Sequence, residues 1–313
     1  MSKKDAEFNV WTILENVNCN NCQENNYSIL KVSNYPGKTT LEEFLKAYSS
    51  SSETKLTDQL VRCNLCSLVY VNPRIHSKLT LKGYVDAVDI QHHEQDTYRI
   101  KSFKRAIKNL DVITREFNLE GLQNNVLDVG CAGGAFPKAA KDLGYRVVGL
   151  EPSRYLAKYG QEKYDIEVHA STIEEFANRS EKFSVISFWD VLEHVPDPRN
   201  SLNLAKQLLQ ENGFLILNLP MIDTSPARLM GGRWPFYLNV HIYYYERKTI
   251  KKLLQETGFE VINMQRYWQT LSLGYILFRA GIRLPKVVRD YLTMPVKYYL
   301  GQRTIVARRI TND

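Results

Sequence analysis

The chain has 313 residues, 44% hydrophobic and 24% charged, with a formal net charge of +7. That is ordinary for a globular protein of one medium and one smaller domain. The polar start Met1-Ser-Lys-Lys-Asp5 does not read as a signal peptide, and the most apolar segment, Trp268–Ile282, is too short to span a bilayer and contains Arg279, so the expected location is cytoplasmic.

The charge is local. Arg279, Arg283, Lys286, Arg289, Lys297, Arg303, Arg308 and Arg309 face one acid, Asp290, between residues 279 and 309, and the rest of the chain is near neutral. A local excess argues against general nucleic-acid affinity. It reads as a solvated surface or as a patch for anionic substrate or peripheral membrane contact.

Two cysteine pairs come first in the chain, Cys19-x-x-Cys22 and Cys63-x-x-Cys66. In a chain with no secretion signal they read as a structural zinc site, four thiolates closing a tetrahedral shell with no open position for catalysis. The 40 residues between the pairs, 23–62, exceed the usual ribbon gap, and Ser67 stands where a knuckle glycine is common. A redox pair or free thiols are the alternatives. Ser67–Pro73 reads as a strand ended by proline, closing a small domain over residues 1–75.

Residues 76–121 form a helical lid or linker. His76, His92 and His93 sit in polar surroundings and read as an exposed loop. From Asp96 to Phe117, Ile100, Phe103, Ile107, Leu110, Ile113 and Phe117 recur at spacings of three and four, one apolar stripe of a helix. Asp96 can cap its start, and Gly121 lies beyond its end. Tyr98 and Arg99 are within reach of a bound carboxylate, but read first as surface residues.

Val126–Val129 is a short buried strand that stops in a glycine cluster, Gly130-Cys131-Ala132-Gly133-Gly134, before a helix from about Phe136. Strand, tight turn and helix open a βαβ unit, with Asp128 at the ligand-binding end of the strand. The G-x-G-x-x-G frame fails, because Ala132 and Ala135 occupy its second and third glycine positions, and no Gly-Lys-Ser/Thr follows for a P-loop. A carboxylate at Asp128 repels a pyrophosphate and suits a cationic or amino-bearing ligand. Arg146–Leu150 is a second strand ending at Glu151, where a carboxylate can accept from two ribose hydroxyls. Ile166–His169, Phe183–Phe188 and Gly213–Leu219 are further strands. Their alternation with helices predicts an α/β fold with a doubly wound, mostly parallel sheet. Cys131 lies inside the glycine loop with no evident base and reads as packing.

The run Asp128-x-Gly130-x-Ala132-x-Gly134 resembles the first motif of class I S-adenosylmethionine (SAM)-dependent methyltransferases, with Ala132 replacing the middle glycine. The resemblance extends to Asp190-Val-Leu-Glu193-His194-Val, Asp197-Pro198 and the Gly213-Phe-Leu strand, and to Gly232-Arg-Trp-Pro through His241-Ile-Tyr-Tyr-Tyr245. With the two cysteine pairs, it covers roughly residues 19–263 and is similar to zinc-ribbon-bearing small-molecule or sugar methyltransferases. It implies a seven-stranded sheet over 122–313 whose last strand is antiparallel, with Phe259–Met264 and Arg303–Arg309 as the last two strands. The stretch of about 265–302 between them departs from the family's tight hairpin and suggests a helical insertion.

The resemblance implies that SAM is held by Asp128, Gly130 and Gly134, by Glu151 at the ribose, and by Ser171, Thr172, Trp189, Asp190 and Val191 on the adenine side. Zinc falls to Cys19, Cys22, Cys63 and Cys66. Methyl transfer is an in-line displacement assisted by a base, and His241 and His194 are the candidates. His241 has an aromatic neighbourhood, Trp234, Tyr237, Tyr243, Tyr244 and Tyr245, read as a wall for stacking a sugar or ring. The expected acceptor is a small molecule, plausibly a sugar nucleotide, polysaccharide precursor or secondary metabolite. Two rivals remain. One is a nucleic-acid or protein methyltransferase reading its target through the zinc domain and basic region, although residues 23–62 carry five basic and five acidic side chains. The other is a cofactor-binding scaffold without turnover. The sequence leaves the oligomeric state open.

Overall fold

The computed structural model describes residues 8–35, 37, 40–49, 52, 54–85, 94–115, 125–279, 282 and 284–310. His92, His93, Phe117, Gly121 and Arg283 of the sequence reading lie outside them.

The first elements are β1 (Leu14–Glu15), β2 (Tyr27–Lys31), α1 (Leu41–Lys46), β3 (Leu60–Cys63), β4 (Val69–Val71), β5 (Arg74–Ile75) and α2 (Ser77–Val85). β2, β3 and β4 form an antiparallel sheet. Both cysteine knuckles turn the same way: Gln23 and Ser67, each just after a second cysteine, take left-handed φ values of 64° and 67°. That is the conformation glycine adopts freely, which explains why a ribbon often has glycine there.

The larger part contains α3 (Asp96–Arg115), β6 (Asn125–Val129), α4 (Ala135–Lys141), β7 (Arg146–Leu150), α5 (Arg154–Tyr164), β8 (Glu167–His169), α6 (Ile173–Phe176), β9 (Phe183–Trp189), α7 (Pro198–Leu208) and β10 (Leu209–Pro220). After these come α8 (Ser225–Met230), β11 (Tyr243–Tyr244), α9 (Arg247–Glu256), β12 (Phe259–Arg266), β13 (Gln269–Ser272), α10 (Leu273–Arg279), α11 (Lys286–Tyr291), β14 (Pro295–Tyr298) and β15 (Gln302–Arg309). Seven strands make one sheet in the order β12-β15-β10-β9-β6-β7-β8. The five from β10 to β8 are parallel, and β15 runs antiparallel to both its neighbours.

Alternation along the strands divides the core. Val126, Val147, Phe214 and Ile216 face one layer with Phe103, Ala106, Ile107 and Leu110 of α3 and Phe136 and Ala139 of α4. Leu127, Val148, Leu215 and Leu217 face the other, with Leu202 and Ala205 of α7 and Ile250 and Leu253 of α9. This period of two on a parallel sheet covered on both faces makes the central strands almost wholly apolar. Each large aliphatic or aromatic side chain so buried contributes about 1.5–3 kcal/mol.

The four-cysteine region joins the same core. Val61, Leu68 and Tyr70 pack in one cluster with Leu217 and Leu219. Strand β11, from the far side of the sequence, pairs with β4 and completes the N-terminal sheet. The first knuckle is pinned by polar bonds: Asn20 Nδ2 donates to Asp197 Oδ1 at 3.0 Å, Arg199 Nη2 donates to the Asn21 carbonyl at 2.6 Å, and Asn21 Nδ2 donates to the Thr249 carbonyl at 2.8 Å.

In the stretch of the expected helical insertion stand two short helices, α10 and α11, framed by the antiparallel pair β13–β14. A strand pair uses the backbone donors and acceptors that a long excursion from a sheet edge would otherwise leave open. Several basic residues of this region are engaged locally. Arg308 Nη2 donates to Glu260, Arg309 Nη1 donates to the Leu209 carbonyl, and Lys297 lies over the Trp268 ring. Among the described residues, no helix is long and apolar enough to cross a membrane.

Candidate active site

The chain runs from β6 outward through β7 and β8, then returns to β9 and β10 on the other side of β6. The strand order therefore reverses between β6 and β9, and a crevice opens at their carboxyl ends. A cavity of about 770 Å³ lies there.

At one end of it stand two buried carboxylates. Asp128 lies opposite Ser187 in the β6–β9 register, and its Oδ1 accepts from Ser187 Oγ at 2.6 Å. Glu151 follows β7; its Oε2 accepts from the Ala132 N–H and its Oε1 from the Ser153 N–H, both at 2.9 Å. Burial pushes Asp128 up to about 8 and Glu151 up to about 7. A cationic ligand would reverse that effect, since an opposite charge favours the ionised carboxylates. The Glu151 oxygens are oriented by backbone donors and retain lone pairs for a vicinal diol. On these two grounds the donor set fits SAM.

The glycine turn shapes the floor. Gly130 has φ +70°, and a Cβ there would stand 2.6 Å from Val191 Cγ2. Ala132, at the position of the missing middle glycine, takes φ +48°. An L residue in that conformation carries strain of about 1–2 kcal/mol, so the turn imposes the geometry whichever side chain is present. Cys131 is buried with Ala157, Ile166 and Val168, which agrees with a packing role.

Asp128, Gly130, Glu151, Ser171, Thr172, Trp189, Asp190, Val191, His194 and His241 all line the cavity. Gly134 does not. It is the N-cap of α4 at φ +87°, and its missing side chain makes room for Ile166. Thr172 also caps α6, its hydroxyl accepting from the Glu175 N–H. Asp190 does more than line the wall: it accepts from Asn218 Nδ2 at 2.8 Å and from Gln302 Nε2 at 2.7 and 2.8 Å, tying the ends of β9, β10 and β15 together.

The aromatic wall expected around His241 is absent from the cavity. Trp234, Tyr243, Tyr244 and Tyr245 are at most 3% exposed and belong to the core. The rings that face the cavity are Phe103, Phe136, Phe188, Trp189, Tyr84 and Tyr275. Alternation and aromatic content mark burial in a sequence, but a core and a ligand wall share that signature.

At the other end lies a cluster of imidazoles. The His194 and His241 rings meet edge to face with centroids 4.6 Å apart. Burial holds His194 down at about 4 and His241 well below the usual imidazole range, so both are neutral at pH 7. His194 Nδ1 is 2.9 Å from the Tyr84 hydroxyl. The buried Nδ1 of His241 has no hydrogen-bond partner. Glu193 lies beside them, fully buried with neither carboxyl oxygen hydrogen-bonded, and burial pushes it well above the carboxylate range. Glu193, His194 and His241 offer ligand atoms within 4.8 Å of one another, a spacing that a cation can bridge.

Sequence reasoning passed over Tyr84, read Glu193 as structural, and set Arg99 first as a surface residue. Arg99 lines the cavity from α3, and its charge stabilises the Asp190 carboxylate. Its position one helical turn into an amphipathic helix was the available signal. Asp96 does not serve as a simple cap: its Oδ2 accepts from the Tyr159 and Tyr164 hydroxyls. Away from the cavity, the four cysteine sulfurs converge within 4.8 Å of one another. Cys19 and Cys66 are 3.3 Å apart and Cys22 and Cys63 3.4 Å, close to the ~3.8 Å edge of a zinc tetrathiolate.

Residues 92–264, more than half of the chain, match the family model described as a methyltransferase domain. The ubiquinone biosynthesis O-methyltransferase of Actinobacillus pleuropneumoniae serotype 5b (strain L20) is 38% identical over 120 residues, covering 35% of this chain and 50% of that protein. The enzyme of the same name from Histophilus somni (strain 2336) is 36% identical over 108 residues, covering 31% and 44%. The chain thus spans about half the length of the curated relatives it matches. Among solved structures, an S-adenosylmethionine-dependent methyltransferase from Clostridium acetobutylicum ATCC 824 aligns with a TM-score of 0.46 and 12% identity, over 67% of this chain and 92% of that one. The family match spans the glycine turn, Glu151 and the Asp190–His194 segment, and by it the chain belongs to the methyltransferase-domain family.

Proposed function

We propose that this protein transfers a methyl group from SAM to a hydroxyl of a small-molecule acceptor. One observation carries the reading: a single cavity connects the two donor-facing carboxylates to a pair of neutral histidines. The relatives' printed names support O-methylation within ubiquinone biosynthesis, and none of them names a sugar nucleotide, a polysaccharide precursor or another secondary metabolite.

SAM, when bound, supplies an electrophilic methyl carbon; its bond to sulfur breaks as the bond to the acceptor oxygen forms, and the electron pair stays on sulfur. Asp128 and Arg99 hold the charged amino-acid end, and Glu151 accepts from the ribose. Ser171, Thr172 and Trp189–Val191 bound the adenine side, with the glycine turn beneath. His241 Nδ1, the imidazole nitrogen without a partner, takes the hydroxyl proton and later releases it to solvent. His194 is already engaged and supports it. A neutral imidazole keeps one ring nitrogen unprotonated at pH 7 and can accept a proton there. Cys19, Cys22, Cys63 and Cys66 hold one zinc ion, which fixes the knuckles that carry Asn20 and Asn21 against α7 and α9.

Four outcomes are expected. By calorimetry, Glu151→Ala lowers S-adenosylhomocysteine affinity by on the order of a hundredfold, the loss of two charge-assisted hydrogen bonds; unchanged affinity would remove Glu151 from the site. The wild-type affinity rises at least about tenfold between pH 6 and pH 7.5, because below its raised value Asp128 holds a proton that the ligand's ammonium must expel, and Glu151 adds to the rise. A flat profile over that range counts against ionised carboxylates at the donor end. Across an acceptor screen of phenols, catechols and sugars, His241→Ala keeps S-adenosylhomocysteine affinity while turnover falls about a hundredfold; undiminished turnover rules it out as the base. Elemental analysis of protein purified without added metal finds about one zinc per chain, and Cys63→Ser loses it and melts earlier; a metal-free protein with an unaltered melt would reject the zinc site.

A further inference from the structure

The matched methyltransferase domain begins at residue 92, yet part of the cavity wall lies before it. Ser77, Lys78, Thr80, Leu81 and Tyr84 of α2 all face the cavity. Their spacing puts them on one face of the helix. The other side of α2 is anchored to the N-terminal region: the His76 N–H donates to the Ile13 carbonyl at 3.0 Å, and Leu79 packs against the cluster of Phe44, Tyr48 and Ile75. The lid is thus carried by the four-cysteine part of the chain and laid over the methyltransferase part.

Tyr84 sits at the far end of this face. Its ring meets His194 edge-on, with centroids 6.2 Å apart at 77°, and its hydroxyl lies 2.9 Å from Nδ1. A phenol that donates to Nδ1 leaves the hydrogen of the neutral ring on Nε2. Rotating the ring would break this bond. The His194 ring meets that of His241 at 90°, so its orientation constrains its neighbour. The buried ring nitrogen of the pair without a hydrogen-bond partner is His241 Nδ1.

We propose that Tyr84 is a positioning residue for acceptor activation: its hydroxyl donates to His194 Nδ1, fixes the Nε2–H tautomer of His194, and so orients the free Nδ1 of His241 toward the acceptor. The role rests on the histidine reading given above. Tyr84 does not take the proton; its burial near Glu193 and Glu151 raises it, so the phenol keeps its hydrogen and has one to donate. A residue outside the matched domain thereby completes the acceptor end.

The test is ¹⁵N-imidazole spectroscopy of the full, metal-loaded chain, wild type and Tyr84→Phe, with His194→Gln and His241→Gln to assign the rings. The expected wild-type spectrum shows His194 protonated at Nε2 with a hydrogen-bonded Nδ1. In Tyr84→Phe, which keeps the ring and its packing, the Nδ1 resonance moves downfield, while S-adenosylhomocysteine affinity stays within about twofold, since no donor-site bond is lost. A wild-type His194 protonated at Nδ1, or ring resonances that Tyr84→Phe leaves in place, would overturn the proposal. The wild-type spectrum reads the bond without reference to turnover, so failure of His241 as the base and failure of the Tyr84 bond are separate results.

Discussion

Two carboxylates buried where the strand order reverses set the terms for the rest of this molecule. Taking Asp128 and Glu151 out of water is costly, and proteins keep such groups only where hydrogen bonds or an opposite charge offset the cost. Here Ser187 and the Ala132 and Ser153 N–H groups supply part of the offset. These donors exist only because β6 lies between β7 and β9 in one register. The left-handed turn from Gly130 to Gly134 follows from the same constraint, since the backbone must fold under the carboxylates before α4 can begin. A ligand with a cationic end and a vicinal diol completes what the protein leaves unfinished.

The four-cysteine part of the chain is structurally continuous with the sheet rather than appended to it. It shares a core cluster through Val61, Leu68 and Tyr70, borrows β11 for its own sheet, and holds the segment bearing His241. Asn239 Oδ1 accepts from the Thr57 N–H at 2.6 Å, and the Asn239 N–H donates to the Thr54 carbonyl at 3.0 Å. The end of the cavity that holds His194 and His241 is therefore built by two distant parts of the sequence, whereas the end that holds Asp128 and Glu151 is built by β6, β7, β9 and the turns that follow them. Under the proposed function, a constant methyl donor would sit in a site written within one sheet, and a variable acceptor in one assembled from replaceable pieces.

Neutral histidines in a dry pocket differ in kind from a surface histidine. Burial alone removes their charge, so each keeps an unprotonated ring nitrogen at pH 7. Glu193 illustrates the converse. Buried without a hydrogen bond on either oxygen, it is pushed toward its neutral form and leaves the imidazoles unprotonated.

The sequence by itself determined the sheet, the glycine turn, Asp128 and Glu151, the convergent cysteines and the α3 stripe. These are local: periodicity, turn chemistry and residue type at a strand end are settled within a dozen neighbours. Even Arg99, set aside as a surface residue, stood where the helix pattern put it. Tertiary structure alone decided which of two buried sets is a wall and which is core. The Trp234–Tyr245 aromatics read as a ligand surface and are packed inside, because apolar character is the same in both places. It also decided that Gly134 caps α4 and leaves room for Ile166, that Gln302 grips Asp190 across 112 residues of sequence, and that Tyr84 reaches His194 across 110. Contacts of that separation depend on how the strands are ordered and where a lid is anchored, and no local pattern encodes either.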